Sequence, residues 1–253
     1  MKIATLYDIH GNLPALEAVL AEIADEKVDA IVVGGDALAG PLPAETLDLL
    51  RTIETPIHFI HGNGESEMLR YLAGEPINGL TPAANESTPK VAEKLSAEQQ
   101  EFVKGWVSTV QLDSPILGKI LFCHATPHNN THIFTLKTPI EKIEPIFEEV
   151  DADIVVCGHT HMQFDLQMKD IRVVNSGSVG MPFGKTGAFW LLIEKDVVFR
   201  CTDYDKQAAA ERVRQPGSLN GEAFANGNIL SAPDQTTIMG LLAQLEANQT
   251  TTQ

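Results

Sequence analysis

The chain is poor in the features that mark secreted and membrane-spanning proteins. Among its 253 residues only three are cysteines, Cys123, Cys157 and Cys201, and no two of them form a CxxC pair. We therefore expect reduced, buried thiols that pack as small apolar side chains. No apolar run approaches the roughly 20 residues that a membrane span needs, and the first residues lack the regions of a signal peptide. These absences predict a cytoplasmic protein with no membrane partner.

Basic residues are also scarce. Lysine and arginine number 18 against 34 aspartates and glutamates, which gives a formal net charge of -16. Such a chain repels a nucleic-acid duplex or an anionic membrane surface. A small phosphorylated molecule would be repelled too, unless a local positive charge compensates. Bound metal ions are one source of that charge.

What the sequence does contain is a set of strands that end in metal-binding side chains. Five short runs rich in isoleucine and valine predict buried strands, namely KIATLY, DAIVVGG, PIHFIHG, KILFC and DIVVCG. In open α/β sheets, binding residues gather at the carboxyl ends of the strands. We therefore expect the residues that follow these runs to converge, and they are Asp8, Asp36, Asn63, His124 and His159.

Two of these positions carry a second candidate ligand two residues further on. His10 follows Asp8, and His161 follows His159. If the backbone is extended there, side chains at i and i+2 project to the same side, so each pair can converge on one ion. The intervening Ile9 would then point into the core.

The order of predicted elements favours a layered α/β fold. The first half alternates strands with helices, one of which Asn12 can cap, whereas four strands follow one another after residue 160. We predict a four-layer αββα sandwich of two mixed sheets flanked by helices, spanning residues 1–205. Residues 66–112 are expected to form a helical cap of two or three helices around the polar loop NGLTPAANESTP. Residues 206–253 are expected to form a helical extension with a polar, frayed end.

Seven candidate ligands exceed what a single structural zinc ion takes, which is four. They suit two ions if one carboxylate bridges both, and two ions ~3.5–4 Å apart can activate a nucleophile and neutralise phosphoryl oxygens. The mixture of imidazole and carboxylate favours Mn, Fe, Zn or Ni over Ca or Mg. We predict two divalent ions, with manganese as the first choice.

The motifs DIHGN, GGD, GN, CHATP, GHTH and NSGSVG occur in the order and rough spacing of one protein family. Over residues 1–205 the chain resembles the calcineurin-like metallophosphoesterases, and above all their compact bacterial phosphodiesterase branch. The resemblance implies that a hydroxide between the two ions attacks phosphorus in line, and that Asn175 and Ser176 support the site from beneath. It also implies a first ion held by Asp8, His10 and His161, a second held by Asn63, His124 and His159, and Asp36 bridging both.

The sequence departs from much of that family directly after Asn63. A histidine that protonates or stabilises the leaving oxygen often stands there, whereas this chain has Gly64 followed by Glu65. Because the other ligands are complete, we expect an active enzyme that acts on good leaving groups or takes its proton elsewhere. His128 is our candidate for that general acid, with His132 as a second choice and a solvated loop histidine as the alternative for both. Glu65 is expected to orient a ligand, face the cap or merely begin a helix.

We therefore predict a metal-dependent phosphodiesterase that acts on a small phosphorylated or nucleotide substrate, with Asn63 counted as catalytic as well as a ligand. A phosphomonoesterase, a dinucleoside polyphosphate hydrolase and a protein phosphatase are alternatives on the same site. A weakly active, metal-binding interaction scaffold is the alternative from another class. The extension from residue 206 is a candidate arm for self-association into a homo-oligomer. Arg70 and Lys90 in the expected cap are candidates to meet substrate, with a surface role favoured.

Overall fold

The computed structural model describes residues 1–249, and the polar end predicted for residues 250–253 lies outside that range. In the described residues, ten strands form two five-stranded sheets. The strands are, in chain order, β1 Ile3–Leu6, β2 Ala30–Val33, β3 Ile57–Phe59, β4 Thr109–Ser114, β5 Gly118–Cys123, β6 Ile154–Cys157, β7 Phe164–Gln167, β8 Arg172–Asn175, β9 Ala188–Ile193 and β10 Val197–Thr202.

Both sheets mix parallel and antiparallel pairs, as the sequence predicted. The first sheet has the order β10-β9-β1-β2-β3. In it β1, β2 and β3 are parallel, β9 pairs antiparallel with β1, and β10 pairs antiparallel with β9. The second has the order β4-β5-β6-β8-β7, in which β5, β6 and β8 are parallel and the two outer strands are antiparallel. Within each sheet, the carboxyl ends of the parallel strands therefore lie at the same edge.

Helices cover the outer faces of the sheets. They are α1 Leu13–Glu26, α2 Pro43–Arg51, α3 Asn63–Leu72, α4 Pro82–Lys94, α5 Ala97–Lys104, α6 Ile140–Phe147, α7 Lys206–Val213, α8 Gly221–Phe224 and α9 Gln235–Gln249, with a π-helical turn at Ala225–Ile229. Asn12 caps α1 as predicted, because its side-chain oxygen accepts the Ala15 N–H at 3.3 Å.

The two sheets pack face to face through a buried apolar layer. Tyr7, Phe122 and Leu191, which come from both sheets, belong to this layer and are fully buried. A second cluster joins the first sheet to α1 and α2 and includes Leu16 and Leu47. A third joins the second sheet to α6. The four-layer αββα arrangement predicted from the sequence is thereby confirmed.

The segment expected as a helical cap differs from its prediction in two places. Helix α4 begins inside the stretch predicted as a polar loop, because Thr81 accepts the Ala84 N–H at 3.1 Å and Pro82 suits a first helical turn. The last residues of the segment belong to strand β4, whose alternating half-buried residues escaped the sequence analysis. Within residues 1–249, no helix combines the length and the apolarity needed to cross a membrane.

Candidate metal centre

All seven candidate ligands lie at the edge where the parallel strands of both sheets end. Four follow strands of the first sheet, and three follow β5 and β6 of the second. The two sheets thus face each other across the site, and each supplies one side of it. The first sheet contributes Asp8, His10, Asp36 and Asn63, and the second contributes His124, His159 and His161.

The backbone at these positions is not extended, so the geometric reason we gave for the two i+2 pairs was wrong. Asp8 and His10 have φ angles of 52° and 49°, and His159 and His161 have 68° and 57°. Asp36, at 49°, shares the same left-handed conformation. A side chain in this region costs of order 1–3 kcal/mol, and such strain concentrates at functional sites. Ile9 is nevertheless fully buried, as predicted.

His10 and His161 face each other in a way that calls for a cation. Nδ1–H of His10 donates to the Ala39 carbonyl at 3.0 Å, and Nδ1–H of His161 donates to the Met181 carbonyl at 2.7 Å. When both rings are neutral, each presents an unprotonated Nε2, and the two Nε2 atoms lie 3.1 Å apart. Two lone pairs at that distance repel unless a positive charge is shared between them. Carbonyl-anchored imidazoles of this kind are typical of metal ligands.

His124 repeats the pattern on the other side of the site. Its Nδ1–H donates to the Gly34 carbonyl at 2.9 Å, and its Nε2 points at Oδ1 of Asn63, 3.1 Å away. When that ring is neutral, its Nε2 and the amide oxygen are both acceptors, and a cation between them would satisfy both. The Nε2 atom of His159 is buried without any hydrogen-bond partner, and its ring lies 5.1 Å from that of His124.

The two carboxylates lie between these groups. Oδ1 of Asp8 is buried without a hydrogen bond and lies 3.4 Å from Nε2 of His161 and 4.0 Å from Nε2 of His124. Asp36 spans the site, with Oδ2 4.0 Å from Nε2 of His10 and Oδ1 3.7 Å from Nε2 of His124. Ligand atoms group into two clusters that share Asp8, one with His10 and His161 and one with Asp36 and His124. The orphaned atoms and facing acceptors fit two cations.

The electrostatics of the site agree with this arrangement. Burial and the neighbouring His124 lower the pKa of His159 to about 4, so its ring is neutral and can act as a ligand. Burial and His161 likewise lower the pKa of His10. Burial alone would raise the pKa of Asp8, but the histidines around it, led by His161, hold that pKa well below its usual range. Burial alone would lower the pKa of His161, but the Asp8 carboxylate raises it, so a proton competes with a metal for Nε2 of that ring. The neutral rings of His10 and His159 and the ionised Asp8 are in the protonation states that a metal needs.

Glu65 is a supporting residue whose role the sequence left open. It is 1% exposed, and its carboxylate accepts the N–H groups of Asp36 at 2.8 Å, Ala37 at 2.9 Å and Leu38 at 3.1 Å, together with that of Gly62 at 2.9 Å. Burial, reinforced by the Asp36 charge, raises the pKa of Glu65 to about 7. One side chain therefore holds the loop after β2 against the start of α3. The acid two residues after Asn63 was the only sequence signal for it.

Gly64 has a structural role of its own. Its N–H donates to Oδ1 of Asp36 at 2.7 Å. A Cβ atom at this position would lie 3.1 Å from that oxygen and 3.2 Å from Cβ of Ala39, which is closer than most real contacts. A glycine lets the backbone approach the Asp36 carboxylate and support it directly.

The NSGSVG turn lies beneath the ligands, where the resemblance placed it. Asn175 donates from Nδ2 to the Gly158 carbonyl at 2.6 Å, and thereby fixes the loop that carries His159. Ser176 exchanges a hydrogen bond with Thr5 of β1 at 2.8 Å. The hydroxyl of Ser178 donates to the Asp8 carbonyl at 2.7 Å.

The structure does not bring His128 together with the candidate ligands. His128 lines a second, polar cavity with His61 and Asn130, and none of the seven candidate ligands is among the described residues that line it. Nε2–H of His61 donates to the Val103 carbonyl at 2.8 Å, and the ring stacks on Trp106, so His61 has a packing role. Burial lowers the pKa of the half-buried His132.

A cavity of about 500 Å³ opens at the ligands. His10, Asp36, Asn63, His159 and His161 line one end of it, and Gly64 lies beside them. Helices α3 and α4, the loop after β2 and the segment around α8 supply most of the remaining walls. A concave site with convergent polar groups at one end is the usual form of an enzyme pocket.

A family model for the calcineurin-like phosphoesterase superfamily domain matches residues 1–196. The chain belongs to this family. It is a metal-dependent phosphoesterase, and the resemblance noted from the sequence motifs is confirmed.

Relatives by sequence are found in bacteria and archaea. The phosphodiesterase YfcE of Escherichia coli K12 is 25% identical over 207 residues, which cover 78% of this chain and 90% of YfcE. The protein MJ0912 of Methanocaldococcus jannaschii is 26% identical over 232 residues, which cover 83% of this chain and 91% of MJ0912.

Solved structures show the same fold. PH1004 from Pyrococcus horikoshii OT3 superposes with a TM-score of 0.75 at 20% identity, covering 88% of this chain and 97% of PH1004. A metallophosphoesterase from Sphaerobacter thermophilus gives a TM-score of 0.70 at 21% identity, covering 91% of this chain and 98% of its own.

Proposed function

We propose that this protein is a phosphodiesterase that uses two divalent metal ions to hydrolyse a small phosphorylated or nucleotide substrate. The observation that carries the proposal is the pair of close contacts between potential metal-binding atoms at the strand ends, His10 Nε2 to His161 Nε2 and His124 Nε2 to Asn63 Oδ1, both 3.1 Å. Within the family just established, the name of the relative YfcE also favours a diesterase.

We propose two ligand sets joined by Asp36, with Asp8, which both clusters of ligand atoms share, assigned to the first. Asp8, His10 and His161 would hold one ion, and Asn63, His124 and His159 the other, because Asp36 directs one carboxylate oxygen to each set. Imidazole with carboxylate suits Mn, Fe, Zn or Ni, and we propose manganese as the first choice. Two such ions, when bound, would supply a water nucleophile at neutral pH and neutralise phosphoryl oxygens. Asn63 and the cavity walls would then orient the diester at the metal-binding end of the cavity.

A poor leaving group needs a proton from a nearby acid. Gly64 cannot supply it, so the site favours diesters with good leaving groups. His128 as general acid stays a prediction, as do the cap formed by residues 66–112, the extension from residue 206, a cytoplasmic location and self-association.

The test is hydrolysis of bis(p-nitrophenyl) phosphate by manganese-loaded protein. Its leaving group needs no acid, so Gly64 cannot mask activity. We expect turnover that Asp36→Ala abolishes and that Asp113→Ala, a change at an exposed position in β4, leaves intact. Normal turnover in Asp36→Ala would refute the bridging role. A wild-type protein inactive with Mn, Fe, Zn and Ni would favour the interaction scaffold instead.

A further inference from the structure

The walls of the 500 Å³ cavity differ sharply from its metal-binding end. Away from the ligands the lining is largely apolar and includes Met68, Leu80, Val91, Leu219 and Phe224, with uncharged polar side chains and Glu67 between them. Met68, Val91 and Phe224 are buried at 1%, 4% and 8% exposure, so they form a fixed surface. Its volume falls within the ~300–1,000 Å³ typical of pockets that enclose a whole small ligand.

No lysine or arginine is found among the described residues that line this cavity. The two basic residues of the cap that were candidates to meet substrate are each paired with acidic side chains. Arg70 lies 3.4 Å from Glu75 and 3.6 Å from Glu67, and Lys90 lies 2.7 Å from Glu86. Glu67 is itself a lining residue. A second negative charge on a substrate would therefore meet no cation beyond the metal-binding end.

The far wall is built from the chain's own C-terminal segment, beyond the residues that match the family model. The N–H of Leu219 donates to the Pro41 carbonyl at 2.9 Å, which fastens this segment to the loop that follows Asp36. Helix α7 packs behind it through Ala210 and Val213. The π-helical turn follows Phe224 directly, and such turns are frequent at functional sites.

We propose that the substrate is a singly charged phosphodiester in which one ester group is a bulky, uncharged apolar group that fills this cavity. The inference rests on the proposed phosphodiesterase function and narrows its substrate class. The phosphodiester's one negative charge is matched at the metal-binding end, and the apolar group gains by leaving water. Burying one CH₂ group contributes about 0.8 kcal/mol, which corresponds to roughly a fourfold gain in kcat/KM.

The experiment compares p-nitrophenyl phosphodiesters that share one leaving group and differ in the other ester group. With manganese-loaded protein, kcat/KM should rise from methyl to butyl to octyl, by roughly threefold or more for each CH₂ group until the cavity is full. An octyl-length group that ends in a carboxylate should lose that gain. Equal kcat/KM for methyl, butyl and octyl diesters would overturn the inference while leaving the phosphodiesterase function standing. No turnover of any diester, bis(p-nitrophenyl) phosphate included, would overturn both.

Variants place the effect in this cavity. Phe224→Ala should lower the octyl-to-methyl ratio of kcat/KM at least tenfold, whereas Phe199→Ala, at an exposed phenylalanine in β10, should leave that ratio unchanged. Because Phe224 is buried and its removal could unfold the segment, Ala84→Arg provides an independent test on the partly exposed wall of α4. It should shift preference from the octyl diester towards the carboxylate-ended one. An unchanged preference in folded Ala84→Arg would contradict the proposal.

Discussion

Replacing Glu65 by glutamine tests whether one buried carboxylate holds the loop that carries Asp36. In the wild-type protein Oε1 accepts the N–H groups of Ala37 and Leu38, and Oε2 accepts those of Asp36 and Gly62. Glutamine keeps only one acceptor oxygen, so two of these N–H groups lose their partner and face an NH₂ group instead. Each buried donor left unpaired costs about 1–3 kcal/mol.

The expected loss in the free energy of unfolding is therefore roughly 2–6 kcal/mol, measured by urea denaturation of the metal-free protein. Glu67→Gln is the matched control, because the Glu67 carboxylate accepts a single N–H, that of Asn78 at 2.7 Å. It should cost about 1 kcal/mol. We also expect Glu65→Gln to weaken metal binding by 10- to 100-fold, as is usual for residues that support ligands. A Glu65→Gln protein as stable as the wild type, with unaltered metal affinity, would refute this reasoning.

Three further predictions concern the metals and the leaving group. Stripping the metals with a chelator should lower the Tm, because a ligand at 100 times its Kd stabilises the folded protein by about 2.7 kcal/mol. An identical Tm for the metal-loaded and the stripped protein in calorimetry would argue against a metal site. Gly64→His should raise the ratio of alkyl-diester to aryl-diester hydrolysis rates above that of Gly64→Ala, by up to 10²–10⁴-fold, because it adds a proton donor. Gly64→Ala is the control, since it crowds Asp36 in the same way without adding the ring. Equal ratios in the two variants would show that another group already protonates the leaving group. His128→Ala should slow alkyl diesters more than aryl diesters, by about 10²-fold if His128 is the acid, and equal slowing would reject that role.

The fold was predictable because its signals are local. Runs such as IVVC and AIVV are wholly buried strands, and their unbroken apolar character indicates parallel strands covered on both faces. Strand β4 was missed because its residues alternate between half-buried and exposed at a sheet edge, without a continuous apolar run. Helix α4 was missed because its turn-forming residues, Asn85 and Pro89 among them, conceal a helix that buries Val91.

The site was predictable as a set of residue types but not as a geometry. Strand ends identified the side chains, whereas the left-handed backbone at Asp8 and His161 is accompanied by tertiary contacts with Gly35 and with Met181. The function of Glu65 depends on backbone N–H groups almost thirty residues away in the chain, which no local pattern encodes. The apolar cavity arises where α4 and the C-terminal segment meet the ligands, so it too emerges only in three dimensions.

The measurement that bears most directly on the central claim is a titration of metal-stripped protein with manganese, followed by both bound metal and hydrolysis of bis(p-nitrophenyl) phosphate. The account predicts that two ions bind per chain and that turnover reaches its plateau only as the second is bound, while Asp36→Ala binds fewer than two and stays inactive. Full turnover at one ion per chain, or turnover that does not respond to metal, would contradict a site built for two.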